Sequence, residues 1–63
     1  MKRITMSDLE RKIEAFNRGA EVERGCFYAK DYGSGNWTAV DNRTGEMWIE
    51  VFPTKEAAQE WLS

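Results

Sequence analysis

The sequence has no histidine, a single cysteine and no long apolar run. Without histidine there is no imidazole to serve as a general base near neutral pH or to ligate a metal. One thiol, Cys26, closes no disulfide within the chain and builds no thiolate cluster. A membrane-spanning helix needs roughly 20 apolar residues in a row. The opening Met1-Lys2-Arg3-Ile4-Thr5-Met6 turns polar at Ser7-Asp8 before an apolar leader core could form. No membrane association, no cofactor and a cytoplasmic placement are therefore expected. An excess of one charge is missing too: 9 basic residues face 11 acidic ones, for a net charge of -2. Large apolar residues are sparse, since Leu, Ile, Val and Phe make up 11 of the 63 residues. Eight aromatics, three of them Trp, supply the missing volume. A chain of this length forms one small domain, 1–63, and buries only about 60% of the surface its unfolded form exposes.

Ser7-Asp8-Leu9-Glu10 matches a capping box, and Leu9, Ile13 and Phe16 follow at helical spacing. Gly19 stands where a helix would be capped, which gives a helix over about 7–18. Short runs rich in aromatic and β-branched residues come next, separated by turn residues. They predict strands over about 24–31, 36–41 and 46–52, with turns at Gly33-Ser34-Gly35 and Asn42-Arg43-Thr44-Gly45. Pro53 stops the last strand, and Thr54 caps a helix over about 54–62 that must dock through Trp61 and Leu62. The expected fold is α+β, in the order α-β-β-β-α: a three-stranded antiparallel meander with both helices on one face.

A four-residue turn at 42–45 sets Val40 opposite Met47 and Trp37 opposite Glu50. One face then carries Thr38, Val40, Met47, Ile49 and Val51, and suits the helices. The other carries Trp37, Ala39, Asp41, Glu46, Trp48 and Glu50. If solvent sees this second face, Trp37 and Trp48 form an aromatic patch of the kind that marks binding sites. If one helix packs on each face, the tryptophans belong to the core.

Chemistry for catalysis is thin. Asp41, Glu46 and Glu50 share a face but flank a tight turn, where acids are ordinarily solvated. Cys26 has no imidazole to activate it and reads as a small strand residue. Gly33-Ser34-Gly35 precedes a strand, not a helix, so it is no phosphate loop. Asn36-Trp37-Thr38 and Asn42-Arg43-Thr44 match the glycosylation sequon, and with no leader they read as turn asparagines. No catalytic or metal-binding residues are expected, so the chain does not read as an enzyme. The basic residues never form a run, which argues against strong phosphate-backbone binding.

Trp37-Thr38-Ala39-Val40, the segment Met47 to Phe52 and Thr54-Lys55-Glu56-Ala57-Ala58 resemble the AP2-type DNA-binding domain. They are also similar to the arm-site-binding domain of phage and transposon integrases. The resemblance spans 37–62 and implies a three-stranded sheet backed by a helix, with the open sheet face in the DNA major groove. Trp48 would then face DNA, while Ala57 and Ala58 pack on the sheet. The family's strand arginines are replaced here by Asp41, Glu46 and Glu50. The order α-β-β-β-α also resembles double-stranded RNA-binding domains, whose basic helix start is reduced here to Lys55.

The leading functional expectation is a non-catalytic module that docks on a partner protein with a basic surface. Trp37 and Trp48 would anchor it, rimmed by Asp41, Glu46 and Glu50. A small phage or mobile-element protein that blocks a host nucleic-acid-handling factor is one form of this, and a homodimer burying both tryptophans is another. The competing expectation is a DNA-binding domain that uses Trp48 with Arg24, Lys30 and Arg43.

Overall fold

Two helices and a mixed four-stranded sheet make up this α+β fold in the computed structural model, which describes residues 1–63. The order is β1 (Lys2–Arg3), α1 (Met6–Asn17), β2 (Cys26–Lys30), β3 (Trp37–Asp41), β4 (Trp48–Phe52) and α2 (Lys55–Leu62). The strands lie side by side as β1-β2-β3-β4. The expected antiparallel meander is present as β2–β4. It gains a fourth strand, because β1 pairs parallel to β2 with Lys2 opposite Phe27 and Arg3 opposite Tyr28. Two residues are too few to show a strand period, so the sequence pattern carries no trace of β1.

The expectation that both helices share one face is corrected. Parallel pairing of β1 with β2 requires a crossover connection, and α1 is that crossover. It packs on one face, where Leu9 meets Phe27, Ala29, Val40 and Met47, flanked by Ile4, Met6, Ile13 and Val22. α2 follows β4 and takes the opposite face, where Ala58 and Leu62 meet Tyr28, Trp37 and Ala39. Few aliphatics are available, so each face is filled by one helix and the strand residues beneath it.

α1 starts one residue before the expected position, and its cap is Thr5 instead of Ser7. Thr5 is extended and its Oγ1 accepts the Asp8 N–H at 3.1 Å. Asp8 turns outward to Arg11 at 2.9 Å. Gly19 closes the helix: its N–H donates to Phe16 O, and its φ of 81° turns the Ala20 N–H back to Ala15 O. Phe16, expected on the apolar stripe, is exposed. α2 starts as expected, with Thr54 Oγ1 accepting the Ala57 N–H at 3.1 Å.

The β3–β4 pairing differs from expectation by two residues. Val40 lies opposite Ile49, not Met47, and Trp37 lies opposite Phe52. Met47 causes the change. Its φ of 59° breaks the extended backbone, and its buried side chain enters the α1 core. A left-handed conformation costs a non-glycine residue roughly 1–2 kcal/mol, a cost met here by burial of the side chain. A slip of two keeps every strand residue on its expected face. Thr38, Val40, Ile49 and Val51 therefore share the α1 face, and Trp37, Ala39, Asp41, Trp48, Glu50 and Phe52 share the α2 face.

Asn42, expected as a plain turn asparagine, is buried and ties two loops together. Its Nδ2 donates to Val22 O at 3.3 Å and Glu23 O at 2.9 Å, and its backbone N–H donates to Gly25 O at 2.7 Å. Its Oδ1 is buried without a hydrogen-bond partner.

Candidate interaction edge

The five residues expected to form a docking face do not all reach solvent. Trp37 is only 9% exposed and lies under α2. Its ring sits 6.0 Å from that of Tyr28, with the Arg3 guanidinium 4.9 Å above it. Trp37 is thus a core residue, and the expected patch loses one of its two anchors. The reason is the placement of α2, which crosses the face that both tryptophans share.

Asp41 is committed to its own loop. Arg43 donates to its carboxylate from Nε at 3.0 Å, from Nη2 at 2.7 Å and from the backbone N–H at 3.1 Å. These hydrogen bonds from Arg43 hold the Asp41 carboxyl below its ordinary value and raise the Arg43 guanidinium in turn. The Cys26 thiol lies 3.9 Å from the same carboxylate. Asp41 is a brace for the β3–β4 loop.

Trp48, Glu46 and Glu50 remain accessible. Trp48 is 60% exposed and lies opposite Asp41 at the start of β4. Glu50 stands in the middle of the strand with no ion-pair or hydrogen-bond partner, since every salt bridge involves other residues. The sequence reading missed Ile49 and Val51, which it placed beneath the helices. They are 43% and 54% exposed.

Geometry explains the miss. A helix is about 10–12 Å across and strands are about 4.8 Å apart, so one helix shields about two strands. α1 packs against β2 on its face, which leaves β4 bare there. On the other face α2 lies over β3 and reaches β4, where Trp61 stacks on Phe52 with ring centroids 5.7 Å apart. A shallow cleft beside that pair is lined by Phe52, Ala57, Glu60 and Trp61. Helix count against strand count is the signal that could have revealed the bare strand.

The three cations of the competing DNA-binding expectation do not converge. Arg24 lies across Gly45, where an added Cβ would meet its guanidinium at 2.9 Å. Arg43 is paired with Asp41. Lys30 lies at the other end of the sheet, opposite Trp37, over the rings of Tyr32 at 5.0 Å and Trp37 at 5.9 Å. The two ends of a five-residue strand are ~13 Å apart. Trp48, placed on the DNA-facing side by the resemblance, shares its sheet face with the α2 contacts Ala39 and Phe52. The face opposite α2 carries α1.

No helix is long and apolar enough to cross a membrane. No family model matches the chain, and neither a curated protein nor a solved structure matches it.

Proposed function

We propose that the chain is a non-catalytic interaction module that docks on a partner protein through β4 and the adjoining end of α2. The observation that carries this reading is the exposure of Trp48, Ile49 and Val51 along one outer strand. In a domain with so few aliphatics, three large apolar side chains left on one edge are unspent binding surface. Trp61 and Phe52 extend that surface around the α2 side. Tryptophans are frequent hot spots, and here Glu50 lies two residues from Trp48 on the same strand face while Glu60 lines the cleft with Trp61. An acidic rim favours a basic partner surface, such as the nucleic-acid groove of a host factor blocked by a small phage or mobile-element protein.

A photo-crosslinking residue at Val51, compared with one at Glu14 on the exposed face of α1, tests the reading. In extract of the source cell, position 51 should give a discrete adduct that Trp48→Ala removes, and position 14 should give none. Equal labelling from both positions would overturn it. The DNA-binding alternative predicts salt-sensitive binding of mixed-sequence duplex DNA. Scattered cations and a net charge of -2 predict no binding at low salt, read by fluorescence anisotropy.

A further inference from the structure

We infer that the partner docks by adding a β-strand to β4, and that the added strand sets a lysine or arginine opposite Glu50. This inference rests on the docking reading and specifies its chemistry. β4 is five residues long and forms one outside edge of the sheet. Every backbone bond outside the regular elements, and every side-chain bond, engages residues other than 48–52. The outward N–H and C=O groups of β4 are therefore open to a further strand. Pro53 follows the strand and does not interrupt it.

The two faces of β4 set what that strand must carry. On the α1 side it would lie beside Ile49 and Val51, so alternate residues should be apolar. On the α2 side it would lie beside Trp48, Glu50 and Phe52, with Glu60 and Trp61 lining the cleft next to Phe52. A cation opposite Glu50 gains an opposite-charge cross-strand pair and has aromatic faces two residues away on either side.

A second copy of this chain fits the edge poorly. The antiparallel self-pairing that aligns all five residues sets Trp48 opposite Phe52, Ile49 opposite Val51 and Glu50 opposite Glu50. Like charges directly opposite are destabilising. A slip of one residue exchanges the faces. A slip of two in either direction pairs only three of the five residues, with Ile49 or Val51 opposite itself and Glu50 opposite Trp48 or Phe52. β1 offers a strand of only two residues.

The test is selection of random peptides on the immobilised full chain, run in parallel on wild type and Glu50→Lys. Selected peptides are then titrated into isotope-labelled protein and followed by amide exchange. Wild type should select β-branched peptides with Lys or Arg at one central position, and these should slow exchange of β4 amides only. Glu50→Lys should select Asp or Glu there and lower affinity for the wild-type peptides by about tenfold. Peptides with no charge preference, or the same peptides from both baits, would overturn the inference, as would failure to select any. Sedimentation as a dimer with the outward β4 amides already protected would overturn it in favour of a second copy. Peptides that shift Trp48 and Trp61 but leave β4 amides exchanging freely would overturn strand addition and leave the docking reading standing. Peptides that touch neither would overturn both.

Discussion

β1 and β4 close the two sides of one sheet with opposite chemistry. β1 is two residues long, both are basic, and its following residue Ile4 ties back to the sheet by donating to Tyr28 O at 2.9 Å. β4 is five residues long, and Trp48, Ile49 and Val51 stand exposed along it with Glu50 as its one charge. Short basic edges are a common guard against unwanted strand pairing, and long apolar ones invite it. The proposed docking at β4 would account for the difference between a guarded edge and an open one.

The largest effect should come from removing the guard. Leu9 is fully buried and holds α1 to the sheet, and α1 is the connection that delivers β1. Leu9→Ala should cost about 2–5 kcal/mol in urea unfolding. In a chain this small that loss should also free β1, expose the outer side of β2 and make the protein aggregate at both edges. Aggregation unchanged from wild type at matched stability would show that β1 guards nothing.

Asn42→Ala attacks the open side. It removes two hydrogen bonds to the carbonyls of Val22 and Glu23. The cost should be about 1–3 kcal/mol, with amide exchange quickening in β4 before β1. Uniform quickening across the sheet would mean that the loop does not control the β4 edge.

How much of this contrast was legible beforehand follows from what makes each element. α1 and α2 carry Thr caps and apolar spacing, and β2, β3 and β4 carry aromatic and β-branched runs, so their existence was written locally. The register was not, because Met47 leaves the strand for a tertiary reason, its fit into the α1 core. The same residues share each face in either register because the slip is even. β1 exists through a parallel partner far along the chain, and no local pattern marks it. The candidate site was half legible: Trp48, Glu46 and Glu50 face solvent as expected. Trp37 is buried by α2, and Ile49 and Val51 are exposed and join the proposed docking surface because α1 leaves β4 uncovered. Which strand a helix fails to cover is a property of the assembled layers.

Val51→Lys gives β4 the kind of guard that β1 already has. Val51 is more than half exposed, so stability should move by no more than about 0.5 kcal/mol. The Val51 crosslink would be lost with the residue, so the adduct is followed from a photo-crosslinker at Ile49 instead. Its yield should fall sharply while the melting curve stays in place. An unchanged yield would place the docking surface elsewhere.

The smallest effect expected is on the acid side of the stability curve, and it bears on the end of the sheet where Asp41 lies between Cys26 of β2 and Trp48 of β4. Asp41 pairs with Trp48 at the start of that strand, and Arg43 holds its carboxyl below the ordinary 3.8. A carboxyl lowered by folding contributes stability above its unfolded value and loses that contribution as pH falls through the folded one. The pair is partly exposed and screened by solvent, so the effect is modest. Asp41→Asn should lower the melting temperature slightly at neutral pH, and its curve should merge with wild type well below pH 3.8. Amide exchange in wild type should show the first loosening in acid at residues 41–43 and Trp48. The parallel pairing of β1 with β2 contains no acid and should not respond in that window. Loosening at β1 first would mean that acid acts through the other carboxylates, and that the Asp41–Arg43 brace does not hold the open edge in place.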